Sequence, residues 1–314
     1  MSFAKRSKDF KGFLVAASVK EKTYKRYAKE VSFFVKYISN RGVQVSSMET
    51  LDNLLQEYME EVYILNSGRG KSLVANALNG VKLFIPKARG SLPASEKAYK
   101  GFDRLSPSKA YPPMSRGLAY LVAYWLLENG FREEGIMVIV GYECFLRISE
   151  ATSLKVGDIG FRGDSLLGKD FKGLALVRIG KAKTGANQSA IVEDPFVAKL
   201  LQRVVKNKGR GSKLYGSSSS VLRKRFGQAL QGLNIQSVRF VFHSLRHGRA
   251  TEEDIKGTPL EDILRKGRWA AAKSGRHYIQ SGRALLLSYD VNHLEEASKT
   301  ILKNPSNILF PLLK

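Results

Sequence analysis

Apolar residues recur at helical spacing through the first hundred positions of the chain. Four stretches, which begin near Glu21, Ser47, Lys71 and Ala94, carry apolar residues three and four positions apart with charged residues between them. This spacing places the apolar side chains on one face of a helix. In the first stretch the predicted stripe consists of Tyr24, Tyr27, Val31, Phe34, Val35 and Ile38. The pattern therefore predicts a domain of four amphipathic helices over residues 1–106.

Three prolines interrupt this pattern in the segment LSPSKAYPP, which begins at Leu105. Proline disfavours the continuation of both helix and strand. We therefore expect a linker over residues 107–113 and a second domain over residues 114–314.

The second domain is predicted to be helical apart from one hairpin. The segments LALVRIG and QSAIVE are rich in β-branched residues and flank a turn, which is typical of an antiparallel pair. Ser149 is expected to cap a short helix that contains Glu150, and another helix is expected to carry Tyr278. The last thirty residues are predicted to form a helix and an apolar tail, which packs either on its own domain or on a neighbouring subunit. The fold class is mainly α with a small antiparallel β-sheet.

The charge of the chain indicates the kind of partner that it binds. The 314 residues include 52 Lys+Arg and 28 Asp+Glu, which gives a formal net charge of +24. Such an excess indicates a polyanionic partner, double-stranded DNA before an anionic membrane surface. No apolar run approaches the roughly 20 residues that span a bilayer, and the charged N-terminus does not resemble a signal peptide. The single Cys144 excludes an internal disulfide and a cysteine zinc site. We expect a buried, inert thiol and an intracellular, DNA-associated protein.

Basic residues concentrate on the first predicted helix and between residues 203 and 225, a stretch without acidic residues. Lysine and arginine on such surfaces bind DNA phosphates. The alternative is a basic surface that contacts only solvent. The predicted phosphate contacts are Lys25, Arg26, Arg203, Lys206, Arg223, Lys224 and Arg225.

The stretch from His243 to Tyr278 combines side chains that suit a phosphodiester. His243 and Arg246 are three residues apart, so a helix would place them on one face. Trp269 and Tyr278 follow, nine residues from each other. An imidazole, a guanidinium fork, an indole N–H and a phenol together favour a phosphate ligand. No acidic metal-binding cluster accompanies them, and the phosphate-binding motif G-x-x-x-x-G-K-[ST] is absent from the sequence.

Five motifs, in order, resemble the catalytic domain of the tyrosine recombinase (phage-integrase) family over most of residues 114–283. They are FLRISEATSLKVGDI with Arg147 and Glu150, AKTG with Lys183, HSLRHGRAT with His243, Arg246 and His247, GRW with Trp269, and HYI with Tyr278. The family often has histidine in place of Trp269. The segment GRWAAAKSGRHYIQSGRALL resembles recombinases borne by eukaryotic mobile elements. The first hundred residues resemble the family's core-binding domain only in helix content, basicity and position.

The resemblance implies a role for each residue. Tyr278 would be the nucleophile, leaving a 3′-phosphotyrosine and a free 5′-hydroxyl, and Arg147 and Arg246 would bind the non-bridging oxygens. Lys183 would protonate the leaving oxygen, with Lys181 as its rival or as a DNA contact. His243 would accept a proton or donate a hydrogen bond to the phosphate, and Trp269 would donate its indole N–H or only pack. Glu150 would orient an arginine, and His247 would either help to orient the site or be a core histidine.

The implied function is site-specific recombination or integration of double-stranded DNA by a homotetramer, with a dimer on each site. The arginines would supply the charge that a metal otherwise provides, and the phosphotyrosine would conserve the bond energy. We therefore expect no metal, no other cofactor, no small-molecule ligand and no membrane partner. Two alternatives stay open: a monomeric type IB topoisomerase, which shares this chemistry, and a non-catalytic DNA-binding derivative of a recombinase.

Overall fold

The computed structural model describes residues 13–107, 110–180 and 188–313. Packing divides the chain into two compact units, Met1–Lys109 and Ala110–Lys314. This division falls inside the predicted linker, and the end of the linker, from Ala110, belongs to the second unit.

The first unit is helical, and the four predicted amphipathic helices are confirmed. Ser47 accepts a hydrogen bond from the Thr50 N–H at 3.0 Å and so begins the third helix. Asp52 caps the fifth helix from a distance, because its carboxylate accepts the Ala94 and Ser95 N–H groups at 2.8 and 2.9 Å. The helices are α1 (Phe13–Ala17), α2 (Glu21–Asn40), α3 (Met48–Leu65), α4 (Lys71–Phe84) and α5 (Pro93–Leu105).

One residue of the predicted stripe on α2 does not face the core. Phe34 is buried between the rings of Tyr37 and Tyr58, whereas Val35 is 53% exposed. Adjacent positions on a helix point about 100° apart, so only one of them can occupy the centre of a narrow interface.

The second unit combines eleven α-helices with three strands in its described residues. The helices are α6 (Arg116–Glu128), α7 (Arg132–Glu143), α8 (Ile148–Ala151), α9 (Pro195–Val205), α10 (Ser219–Gly232), α11 (Phe242–Ile255), α12 (Leu260–Gly267), α13 (Ala272–Arg276), α14 (Ser281–Asp290), α15 (Glu295–Lys303) and α16 (Pro305–Leu309). The strands are β1 (Ile159–Phe161), β2 (Ala175–Ile179) and β3 (Gln188–Val192).

The predicted hairpin is confirmed. Strands β2 and β3 are antiparallel, with Ala175 opposite Val192 and Ile179 opposite Gln188. Strand β1 adds to the other edge of β2 and gives the sheet order β1-β2-β3. Its three residues are too few to show the alternation that identifies a strand in a sequence.

Helix α11 lies across the buried helices α6 and α7, and two features fix it there. Gly248 allows a close approach, because a Cβ atom at this position would lie 1.7 Å from the carbonyl oxygen of Met114. A network of buried charges joins the helices, since Arg249 pairs with Glu253 at 2.8 Å and with Glu143 of α7 at 3.7 Å. The position of α11 is therefore set by contacts on both sides.

The C-terminal segment packs on its own unit in this structure. Ile301 and Leu309 are buried in the main core, and the ring of Phe310 stacks on Phe196 of α9 at a centroid distance of 5.2 Å. The guanidinium of Arg203, a residue predicted to contact phosphate, lies over the Phe310 ring, 4.0 Å from its centroid. Within the described residues, no helix is both long enough and apolar enough to cross a membrane.

Candidate active site

Helix α11 and the short helix α8 carry most of the predicted site residues. His243, Arg246 and His247 lie in the first two turns of α11, where this spacing places them on neighbouring positions of the helix surface. Arg147 precedes the first residue of α8, and Glu150 lies within it. The guanidinium of Arg246 donates to the carbonyl oxygen of Phe145, two residues before Arg147, so the two helices border one site.

The hydroxyl group of Tyr278 reaches α11. It lies 3.2 Å from Nε2 of His243. The phenol ring stacks on the imidazole of His247 at a centroid distance of 4.5 Å and lies 4.7 Å from the indole of Trp269. A phenol at hydrogen-bond distance from an imidazole is the arrangement that activates a hydroxyl nucleophile.

The prediction that a helix carries Tyr278 was wrong. Tyr278 lies in a turn between α13 and α14. The hydroxyl of Thr251, on α11, donates to the carbonyl oxygen of Tyr278 at 3.3 Å and accepts the N–H of Gln280 at 3.0 Å. These bonds satisfy backbone groups that a helix would otherwise pair internally. Thr251 thus positions the backbone immediately after the candidate nucleophile.

Arg246 is fully buried, with 0% of its surface exposed. Its two terminal nitrogens donate to the carbonyl oxygens of Phe145 and Gly267, while its Nε–H has no partner among the described residues. The guanidinium lies 4.4 Å from the ring centroid of Trp269 and 5.4 Å from that of Tyr278. Burial, followed by the charges of Arg147 and Arg268, lowers the pKa of Arg246 to about 9. Arg246 therefore keeps its positive charge at neutral pH.

Arg147 is held by Glu150. Its NH1 donates to Oε1 of Glu150 at 2.6 Å, and its backbone N–H donates to Oε2 at 2.9 Å. Burial favours a raised pKa for Glu150, but these hydrogen bonds and the charge of Arg268 lower it, so the carboxylate stays ionised. The expectation that Ser149 caps α8 was wrong, because Arg147 is the N-cap residue and Ser149 lies inside the helix.

The indole of Trp269 lies against Gly267. A Cβ atom on Gly267 would lie 1.7 Å from the Trp269 ring, so only glycine allows this packing. The Nε1–H of Trp269 is buried and has no hydrogen-bond partner among the described residues. Buried N–H groups without a partner are rare, and this one lies beside the candidate nucleophile, since the indole is 4.7 Å from the ring of Tyr278.

Both histidines of α11 are neutral at pH 7. Burial, together with the charges of Arg246 and Arg147, lowers the pKa of His243 to about 4. Burial and the neighbouring His243 and His277 lower the pKa of His247 to about 3. The Gln280 amide lies 2.8 Å from Nδ1 of His247, which is consistent with an unprotonated acceptor at that nitrogen. A neutral His243 is able to accept the proton of Tyr278.

Acidification should therefore destabilise the second unit. An unfolded histidine takes up its proton near pH 6.5, whereas His243 and His247 do so only near pH 4 and pH 3. Between about pH 6.5 and pH 4 the unfolded state binds more protons, so the free energy of unfolding falls as the pH falls. We expect the melting temperature to drop by roughly 5 °C or more between pH 7 and pH 5, as measured by calorimetry.

A matched pair of variants isolates this effect. His247→Gln removes one of the buried titrating groups and should reduce the drop, whereas His293→Gln removes an exposed histidine and should leave it unchanged. Equal drops in His247→Gln and the native chain would contradict a neutral, buried His247.

The described residues leave some of the predicted site unplaced and reveal parts that the sequence did not indicate. Lys181 and Lys183 lie outside the described residues. Four residues close to the site were not predicted, although Arg268 belongs to the GRW motif and Thr251 to the HSLRHGRAT motif. The other two lie in the motif FLRISEATSLKVGDI and in the segment GRWAAAKSGRHYIQSGRALL, but they were not singled out there. They are Phe145, whose carbonyl receives Arg246, and Gln280, which contacts His247.

The predicted phosphate contacts differ in how exposed their charges are. Arg225 lies 4.1 Å from the ring centroid of Phe131 and donates to Gln228, and Lys25 pairs with Glu21 at 2.9 Å. Arg225 is partly buried, whereas the other predicted contacts on α2, on and after α9, and on α10 are exposed, namely Lys25, Arg26, Arg203, Lys206, Arg223 and Lys224. Within the described ranges, no group of three or more His, Cys, Asp or Glu residues is arranged to hold a metal ion. Cys144 is buried, which raises the pKa of its thiol to about 12, as expected for an inert cysteine.

Comparison with known proteins shows similarity in structure. Neither a known protein-family model nor a curated protein sequence matches the chain. The Tn1549 transposon integrase, in complex with transposon right end DNA, matches with a TM-score of 0.58 at 13% identity, over 82% of this chain and 98% of that one. The XerH site-specific recombinase, bound to palindromic difH substrate, matches with a TM-score of 0.57 at 16% identity, over 87% of this chain and 78% of that one.

A third similar structure is a lambda integrase dimer bound to a COC' core site. It matches with a TM-score of 0.52 at 14% identity, over 84% of this chain and 73% of that one. At these identities the likeness concerns the fold, and it extends over most of the chain. The mainly helical architecture, with its small antiparallel sheet, agrees with the resemblance found in the motifs. The chain has the fold of the tyrosine recombinases.

Proposed function

We propose that this protein is a site-specific DNA recombinase or integrase that cleaves and rejoins DNA through a 3′-phosphotyrosine intermediate. The observation that carries the proposal is the Tyr278 hydroxyl, 3.2 Å from a neutral His243 and packed among Arg246, His247 and Trp269. The net charge of +24 supports double-stranded DNA as the partner. The similar structures named above are themselves complexes with DNA.

The reaction exchanges one phosphodiester for another. The Tyr278 oxygen attacks the phosphorus as its proton passes to Nε2 of His243, and the bond from phosphorus to the 5′-oxygen breaks. A proton from Lys183 converts that oxygen into a 5′-hydroxyl. Reversal of the step by a 5′-hydroxyl from another strand restores the DNA backbone and releases Tyr278. The exchange needs no cofactor as an energy source, because a phosphate ester is present at every stage.

Arg147 and Arg246 stabilise the charge on the non-bridging oxygens. In the present structure the rings of Trp269 and Tyr278 lie against Arg246, so these rings have to shift when a phosphate reaches its guanidinium. The unpartnered N–H groups of Arg246 and Trp269 then gain an acceptor. The Arg246 donor is therefore in place before the ligand arrives, which is the arrangement that favours a transition state, whereas the Trp269 donor reaches its acceptor as the ring shifts.

Exchange between two duplexes requires four strand cleavages. One copy of the chain for each cleavage gives a homotetramer, with a dimer on each site. A type IB topoisomerase would act as a monomer on one duplex, and a non-catalytic derivative would form no adduct, so the experiment below distinguishes the three functions.

The test is covalent trapping on a library of nicked random-sequence duplexes. In such duplexes the short 5′-hydroxyl fragment diffuses away after cleavage and leaves the adduct trapped. We expect DNA attached to the chain through Tyr278, mapped by mass spectrometry, with enrichment of one target sequence and protein copies in pairs on each site. Adducts without sequence enrichment on a single copy would support a topoisomerase instead. Binding without any adduct would refute the proposed chemistry.

A further inference from the structure

A third arginine lies behind the two that the proposed mechanism uses. Arg268 is only 8% exposed, and its guanidinium donates four hydrogen bonds, the longest of them to the carbonyl oxygen of Lys266 at 3.5 Å. The other three acceptors are the carbonyl oxygens of Cys144 and Phe145, both at 3.0 Å, and Oε2 of Glu150 at 3.1 Å. A planar guanidinium is suited to such a set, because its donors point in fixed directions.

The backbone at Arg268 makes an arginine unexpected there. Arg268 ends α12 with φ at 58° and ψ at 45°, in the left-handed region. This conformation suits glycine, and residues with a side chain adopt it at an energetic cost. The long side chain is therefore best explained by its contacts, which compensate for the backbone conformation.

Two of these contacts fix the turn on which Arg246 depends. Cys144 and Phe145 follow the end of α7, where carbonyl groups lack partners within the helix. Phe145 is itself left-handed, with φ at 51°. Its carbonyl oxygen accepts from both Arg246 and Arg268, so the two guanidinium groups share one acceptor. A change in this turn would displace Arg246.

The third contact fixes Arg147. Glu150 is almost fully buried, and its carboxylate lies between two arginines. Oε1 accepts from the Arg147 guanidinium at 2.6 Å, while Oε2 accepts from Arg268 at 3.1 Å. Removing Arg268 would leave a buried carboxylate with half of its charge partners, and the orientation of Arg147 would no longer be fixed.

We propose that Arg268 is a positioning residue for DNA cleavage, one that never touches the phosphate. By holding Glu150 and the turn at 144–145, it keeps the guanidinium groups of Arg147 and Arg246 directed at the same phosphate. Its left-handed turn also leads directly into Trp269. This inference rests on the proposed function, because it assigns a task in the cleavage step.

Arg268→Gly tests the proposal without opposing the backbone conformation at this position. Glycine accepts the left-handed conformation more readily than arginine, so the backbone should persist while the guanidinium is lost. On duplexes that trap the native chain, we expect unchanged DNA affinity within about twofold and a rate of adduct formation that falls roughly 10- to 100-fold, the range typical of residues that orient a binding group.

Chemical rescue separates positioning from general damage to the structure. Guanidinium ion at about 10 mM, far below denaturing concentrations, should enter the vacated space and restore at least part of the lost rate. Urea at the same concentration has a similar shape but no charge and should not restore it. Arg265→Ala is the matched control, because it removes a positive charge from the same helix at a side chain that is 79% exposed. Its rate should equal that of the native chain.

Each outcome either supports or overturns the role of Arg268 as a positioning residue. A native rate in Arg268→Gly overturns the inference, and so does a reduced rate that guanidinium leaves unchanged. If Arg268→Gly does not fold, Arg268→Asn serves instead, since asparagine also tolerates the left-handed region. Absence of adducts with the native chain refutes the proposed function itself, whereas native adducts formed equally well by both chains refute only the role of Arg268.

Discussion

Replacing Tyr278 by phenylalanine should abolish the covalent protein–DNA adduct while DNA binding persists. The substitution removes one oxygen atom and keeps the ring that stacks on His247 and lies against Trp269. No other group described at the site combines a hydroxyl with a neutral imidazole at 3.2 Å. Loss of a nucleophile lowers a rate by far more than loss of a binding contact, so we expect a decrease of about 10³-fold or more.

The measurement compares adduct yield and DNA affinity on the same nicked duplex. Tyr289→Phe is the matched control, because Tyr289 lies on the adjacent helix α14 and is 77% exposed. This variant should form adducts at the native rate. An adduct that persists in Tyr278→Phe would show that another residue is the nucleophile, and the proposed mechanism would then fail.

The second large effect is expected when Arg246 and Arg147 are each replaced by lysine. The two variants should differ in stability. Arg246→Lys keeps a positive charge, but a single ammonium cannot reproduce the fork that reaches both Phe145 and Gly267. A buried carbonyl without its partner costs about 1–3 kcal/mol. Arg147→Lys keeps a positive charge beside Glu150 and removes no bond to a buried carbonyl, so it should destabilise the chain less than Arg246→Lys.

Cleavage should nevertheless fall in both variants, by roughly 10²- to 10³-fold, because each loses directed donors to the phosphate oxygens. The two lysine variants are compared by urea unfolding and by single-turnover adduct formation. Two equally stable variants would contradict the structural role of Arg246, and native cleavage by either variant would remove that arginine from the proposed mechanism.

Local patterns were sufficient to predict most helices and the hairpin. The stripes on α3 and α4 are read from residues within a few turns of each other, and the same holds for the alternating strands β2 and β3. The prediction failed for Tyr278, where Thr251, 27 residues earlier, satisfies the backbone in place of helical bonds. It also failed at Ser149, since the Glu150 carboxylate accepts the Arg147 N–H and the helix begins one residue before Ser149.

The sequence by itself determined which chemical groups are present and how they are spaced along the chain. The motifs around Arg147, Arg246 and Tyr278 pointed to phosphodiester chemistry, and they did so because residue types alone limit the ligands that a site can take. The fold they indicated agrees with structures at 16% identity or less.

Only the tertiary structure decided the state of those groups. It buried Arg246 against two rings, made His243 neutral, and placed Arg268 behind Glu150. Each of these facts depends on partners far away in the sequence, such as the 118 residues between Arg268 and Glu150. Burial and hydrogen bonding arise where distant segments meet, and the pKa of a histidine or the direction of a guanidinium follows from that meeting and not from the residue alone.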